Sequence, residues 1–207
     1  MVAHAIVVVA VSTGGLTPLR HLIEALPQHC SASVFVVMHS GAYQSLLPDI
    51  QSWHGRILVV FGEDGALIEA EHVYVAPPDR HMTMDGDRIR LDQGPKVHAT
   101  RPAADPLFFS AARAHGRRVV GVVLSGEGTD GAAGLAAIKA AGGCALVEDP
   151  RDAPSPSMPI AAIAADSPEC LHIDVLARRI AEFCVQIHGS AGIAAPAGAT
   201  AAIPFPS

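Results

Sequence analysis

Aromatic side chains make up only 4% of this 207-residue chain and charged ones 16%, while hydrophobic residues reach 50%. A core so poor in rings must be filled by Ala, Val, Leu and Ile, and that much apolar content excludes a chain disordered throughout. No apolar run approaches the ~20 residues that span a bilayer, so the protein is not expected to be membrane-embedded. The N-terminal MVAHAIVVVAVS lacks the basic lead of a secretory signal and reads as a first strand. Cys30, Cys144, Cys170 and Cys184 show no C-x-x-C spacing, which disfavours a zinc site or a disulfide framework and suits a reduced, cytoplasmic compartment. Lys and Arg number 14 against 20 Asp and Glu, a formal charge of -6, and the largest basic groupings are Arg117-Arg118 and Arg178-Arg179. Such a surface repels a phosphate backbone, so nucleic acid is not expected as a partner.

Three short, β-branched runs supply the fold signal. AIVVVAV stops at Ser12, VFVVM stops at His39, and VVGVVL runs into the loop that carries Asp130. Each run is too short for a helix, and buried parallel strands read this way. Leu16, Leu19, Leu22, Ile23 and Leu26 follow helical spacing up to Pro27. A strand over 33–38 then completes a β-α-β unit, and a helix near 43–52 with a strand over 56–61 repeats it. HVYVAPP, HMTM, DGD and RIRLD read as short strands around an Asp85-Gly86 turn, a hairpin inserted in the α/β pattern. Alternation resumes with a helix over 105–114, a strand over 119–124, a helix over 132–141, a strand over 144–148 and a helix over 175–187. The expectation is a doubly wound α/β domain over 1–188, with a mostly parallel sheet and helices on both faces. An Ala/Gly/Pro-rich stretch over 189–207 reads as a disordered tail.

In open α/β sheets ligands bind beyond the carboxyl ends of the strands, where Ser12, His39 and Asp130 would meet as a Ser-His-Asp hydrolase site. Gly14 and Gly15 let the chain turn tightly, and the following helix aims backbone N–H groups at the place where an oxyanion would form. Ala10 occupies the first glycine position of G-x-S-x-G, so this is no ordinary nucleophile elbow. His4, His29, His54, His115, His172 and His188 have no evident acidic partner and read as surface residues. A rival reading uses Gly126, Gly128 and Gly131 as G-x-G-x-x-G, with Glu148 as a ribose-binding acid. Against that dinucleotide site stand Glu127 and Asp130, two carboxylates where a pyrophosphate should sit.

V-S-T-G-G-L at Val11 to Leu16, V-V-M-H at Val36 to His39 and Y-V-A-P-P-D-R-H-M at Tyr74 to Met82 form an ordered set. R-P-A-A-D at Arg101 to Asp105 and L-S-G-E-G-T-D-G-A-A-G-L at Leu124 to Leu135 complete it. Together they resemble the catalytic domain of CheB-type chemotaxis receptor methylesterases. The resemblance implies a doubly wound α/β sheet with a β-hairpin and a triad of Ser12, His39 and Asp130. It implies oxyanion donors from the backbone near Thr13 and Glu127, and a site rim of Gly14, Arg101, Met158 and Pro159. No cofactor or metal is implied. The substrate would be a glutamate γ-methyl ester on the cytoplasmic helices of a chemoreceptor, with glutamine deamidation as a side activity. The chain departs from the family at Ala10-Val11, Pro78 and Glu127, and the Glu127 charge would oppose an oxyanion. A weakened, partner-binding relative is therefore the alternative to an active esterase. Because the chain begins at the first esterase strand, it is expected to be an excised domain or a stand-alone member, with any receiver domain acting in trans.

Overall fold

The computed structural model describes residues 4–26, 31–39 and 58–191. The first strand β1 (Ala5–Val11) and β2 (Ala32–Met38) pair in parallel around helix α1 (Leu16–Ala25). The strands β3 (Leu58–Phe61) and β4 (His72–Val75) extend the same sheet beyond β2. On the other side of β1 lie β7 (Val119–Val123), β8 (Cys144–Glu148) and β9 (Glu169–Leu171). Among the described residues this gives a seven-stranded parallel sheet in the order β3-β4-β2-β1-β7-β8-β9. The chain winds outward from β1 to β2 and beyond, then returns to pair β7 on the free side of β1, so β1 and β7 flank a topological switch point.

Side-chain alternation divides the core into two layers. Ile6, Val8 and Ala10 face helices α2 (Ala104–His115), α3 (Ala132–Ala140) and α4 (Ser157–Asp166). Val7, Val9 and Val11 face α1 and α5 (Ile173–Ala191). β1 is buried along its whole length, which explains why its sequence is continuously apolar rather than alternating. No helix among the described residues is long and apolar enough to cross a membrane.

The hairpin consists of β5 (His81–Asp85) and β6 (Arg88–Asp92), joined through Gly86 at φ 56°. It packs on α2, where the Ser110 hydroxyl oxygen accepts the Met84 N–H at 3.0 Å. HVYV, expected among the hairpin strands, instead enters the main sheet as β4, separated from the hairpin by Pro77-Pro78. Helix α4 and the three-residue β9 are additional to the elements expected. The expected helix over 43–52 lies outside the described residues. Helix α5 continues through Ala191, three residues into the expected tail, and 192–207 also lie outside the described residues.

Candidate active site

Ser12 and His39 each follow the last residue of their strands, and those last residues, Val11 and Met38, are register partners. The His39 N–H donates to Val11 O at 3.1 Å, prolonging the ladder by one step. Adjacent strand spacing then holds the Ser12 and His39 backbones about 5 Å apart. On the other side of Ser12, its N–H donates to Ser125 O at 3.0 Å, beyond the end of β7. Ser12 thus sits between the carboxyl ends of β2 and β7. Among the described residues its hydroxyl makes no hydrogen bond, and the structure brings it beside His39 without joining the two side chains.

His39 and Asp130 are joined directly, Nε2 to Oδ2 at 2.6 Å, with their side chains 11% and 3% exposed. Asp130 also occupies the N-terminus of α2. Its Oδ2 accepts the Ala104 N–H at 2.6 Å and its Oδ1 accepts the Asp105 N–H at 3.0 Å. Burial pushes the Asp130 carboxyl up, but the bonds from His39, Ala104 and Asp105 outweigh it and hold the group below the usual carboxylate value. An ionised Asp130 can only accept, so the His39 Nε2 carries a proton, and in the neutral imidazole Nδ1 is the nitrogen with the lone pair. The familiar serine triad orients its imidazole the other way round.

The loop Ser12–Gly15 turns directly into α1, with Gly15 N–H donating to Ser12 O at 3.0 Å and Gly14 at φ 76°. Gly126 is confined by contact: a Cβ there would lie 2.7 Å from Ser12 Cβ and would overlap Met158 Sδ. Its N–H donates to Ser155 O, and its carbonyl accepts the Met158 N–H, both at 2.9 Å. By contrast, the N–H groups of Thr13 and Glu127 have no acceptor among the described residues. Thr13 adjoins Ser12 in the chain, and Glu127 follows Gly126, whose Cβ position lies 2.7 Å from Ser12 Cβ. The Glu127 carboxylate is committed elsewhere, Oε1 accepting from Ser155 Oγ and Oε2 from Ser157 Oγ, each at 3.0 Å.

Of the expected rim residues, Gly14 is exposed and packs near Pro154, whereas Met158 is fully buried beneath Gly126, and Pro159 is buried with it. Arg101 is occupied in the hairpin region. Its guanidinium donates to Asp79 Oδ1 at 2.6 and 2.9 Å and to the carbonyls of Gln93 and Gly94 at 3.1 and 2.7 Å. The structure does not join it to the Ser12–His39–Asp130 group. Asp79 is held below its usual value chiefly by that hydrogen bond.

Asp105 stands in the R-P-A-A-D motif, but its role beside the site and its pairing with His98 carried no sequence signal. Asp105 accepts His98 Nε2–H at Oδ2 and the Gly134 N–H at Oδ1, both at 2.7 Å, forming a second His-Asp pair next to Asp130. His98, Asp105 and Asp130 place possible metal-ligand atoms within 4.8 Å of one another. All four carboxylate oxygens already accept N–H groups, however, so the cluster is satisfied by the protein itself. Of the histidines expected at the surface without acidic partners, His115 is instead buried, with Nε2 unpartnered among the described residues, whereas His172 is exposed as expected but lies between Asp152 and Asp174. Only local hydrophobic spacing could have flagged His115, and nothing local pairs His172 with Asp152. His29 and His54 lie outside the described residues, as does the His188 side chain. Cys144 and Cys170 are free thiols.

The dinucleotide reading fails at its ribose-binding acid, Glu148, and the loop acid Asp130 that stood against it has a partner of its own. Asp130 is bonded to His39, and Glu148, 2% exposed, accepts the Ser125 N–H at 2.7 Å, leaving it turned into the protein rather than toward a ribose.

Comparison with known proteins agrees with this fold. The sequence profile of the CheB methylesterase family matches residues 7–180. A protein-glutamate methylesterase/protein-glutamine glutaminase of Pyrococcus abyssi is 39% identical over 167 residues, covering 78% of this chain and 45% of that protein. The Escherichia coli K12 protein of the same name is 34% identical over 148 residues, covering 70% of this chain and 42% of its own. The chain therefore spans less than half the length of these relatives. The crystal structure of the Thermotoga maritima CheB methylesterase catalytic domain superposes with a TM-score of 0.82 at 29% identity, covering 87% of this chain and 99% of that one.

Proposed function

The chain belongs to the CheB methylesterase family, and we propose that it hydrolyses glutamate γ-methyl esters on the cytoplasmic helices of chemoreceptors by a serine mechanism. The observation that carries the serine mechanism is the 2.6 Å His39–Asp130 bond at the strand end beside Ser12. That bond leaves Nδ1 of His39 as the base. In the proposed reaction Ser12 Oγ attacks the ester carbonyl carbon while its proton passes to Nδ1. The Thr13 and Glu127 N–H groups receive the carbonyl oxygen as it becomes negative. Collapse breaks the bond to the methoxy oxygen, which takes the proton from Nδ1 and leaves as methanol. Water then attacks the acyl-serine with Nδ1 again as base, releasing glutamate and restoring Ser12. A glutamine side chain would follow the same route with ammonia leaving, consistent with the glutaminase in the relatives' names.

The buried, hydrogen-bonded Asp130 and the unengaged backbone donors favour a working site over a weakened one. Glu127, the departure with the most direct electrostatic consequence, directs its charge at Ser155 and Ser157. A test of the mechanism is covalent labelling with a fluorophosphonate followed by peptide mapping. The expected adduct is on Ser12, absent from Ser12→Ala. Labelling of a different serine, with Ser12 untouched, would refute the nucleophile assignment.

A further inference from the structure

We propose that Glu148 is a positioning residue for this hydrolysis, acting on Ser12 through the backbone of Ser125. The proposal rests on the serine-hydrolase reading above. Glu148 ends β8, where Cys144 and Leu146 share its side of the strand and pack into the apolar layer of α1 and α5. A carboxylate in that row, 2% exposed, demands a reason. Its Oε2 accepts the Ser125 N–H at 2.7 Å. The carbonyl of Ser125 accepts the Ser12 N–H at 3.0 Å, so a single residue, through the two adjacent peptide units that flank its Cα, connects the buried acid to the backbone of the nucleophile.

Ser125 is fully buried and tied on every side. Its hydroxyl oxygen accepts the Ser155 N–H at 2.8 Å and donates toward Thr13 O at 3.1 Å. The last β7–β8 register pair is Val123 with Val147, so the Ser125 N–H lies past the end of the ladder. Glu148 supplies the acceptor that the ladder no longer can, and a buried N–H without one is strongly disfavoured. Gly126 and Glu127 follow directly. The position of the Ser125 backbone therefore governs both the nucleophile and the Glu127 oxyanion donor. Burial pushes the Glu148 carboxyl up, and nearby Asp152 adds to this, while the Ser125 bond and His172 oppose it. Either protonation state retains an oxygen acceptor, so the role belongs to the acceptor rather than to the charge.

The test compares Glu148→Gln, which keeps an acceptor, with Glu148→Met, which has the length but no acceptor. Both are made in the full chain, with hydrolysis of a small carboxylate methyl ester and fluorophosphonate labelling as readouts. We expect Glu148→Met to lower kcat and the labelling rate by about 30-fold with KM changed less than about twofold, because displacement of a reacting group by a fraction of an ångström acts on turnover. Glu148→Gln should remain within about threefold of wild type in kcat, since its amide oxygen restores the bond. A folded Glu148→Met protein with wild-type kcat would overturn the proposal, as would a Glu148→Gln protein as impaired as Glu148→Met. Should Glu148→Met fail to fold, amide exchange in the wild type decides. The Ser125 N–H must be protected like the β7 interior, and exchange at an exposed-loop rate overturns the role. Absence of Ser12 labelling in the wild type is a different result. It removes the hydrolase reading and this role with it, whereas equal labelling of wild type and Glu148→Met removes the Glu148 role alone.

Discussion

Replacing Asp130 by Asn changes one oxygen to an amide nitrogen in a carboxylate that accepts three N–H groups. Two of them, from His39 and Ala104, converge on Oδ2, while Asp105 alone addresses Oδ1. The Asn carbonyl should therefore occupy the Oδ2 place and its NH2 should face the Asp105 N–H. Donor then meets donor at the first turn of α2, costing about 1–3 kcal/mol of stability for one unsatisfied buried group. At about 2–4 °C per kcal/mol for a domain of this size, Tm should fall by several degrees. The imidazole keeps its Nε2–H partner, so the tautomer survives. What disappears is the negative charge beside the imidazolium that forms as Ser12 attacks. At an effective dielectric near 20 and a charge separation near 4 Å that attraction is about 4 kcal/mol, or roughly 10³-fold in rate. This is less than the ~10⁴-fold loss expected where the amide forces the wrong tautomer. The assay is single-turnover acylation by a small methyl ester, with a thermal melt on the same samples. A rate within tenfold of wild type would refute the role assigned to Asp130.

The same carboxylate sets a pH dependence of stability. Its folded-state value lies below the unfolded one, so its contribution is fully present above the unfolded carboxylate range and is lost as pH falls through the folded value. Denaturant midpoints should decline through that acidic window in wild type and less steeply in Asp130→Asn. An unaltered slope would show that Asp130 is not among the groups responsible. Gly126→Ala should lower turnover by about 10²-fold, because the new Cβ meets Ser12 Cβ at 2.7 Å. A fully active, folded Gly126→Ala would contradict the packing. Glu127→Met should change turnover by less than about threefold, since the exposed carboxylate is screened and turned toward Ser155 and Ser157. An order-of-magnitude acceleration would mean that its charge does reach the oxyanion.

The positions of Ser12, His39 and Asp130 were legible because buried parallel strands leave continuous apolar runs, and polar residues at the ends of those runs fall on one sheet edge. Strand order follows less directly. HVYV reads equally well as a hairpin strand or a sheet strand, and only tertiary pairing with Phe35 and its neighbours decides. Helix α4 was concealed by its alanines, which blur the apolar period, and by Pro159 in its first turn, where a proline is tolerated. Ser125 and Glu148, 23 residues apart, meet only because β7 and β8 pair. Arg101 shows contacts that the motif alone does not reveal. A charged residue in a recurring motif resembles site chemistry, yet its four donor contacts fasten the hairpin to Asp79.

The most direct test of the central claim is methanol release from membranes carrying methylated chemoreceptors. Wild-type chain should release methanol in proportion to enzyme and time, and Ser12→Ala, which removes one hydroxyl from a half-buried loop residue, should fold normally and release none above background. Equal release by Ser12→Ala and wild type would contradict the serine mechanism, and no release by a well-folded wild-type chain would contradict the assigned activity.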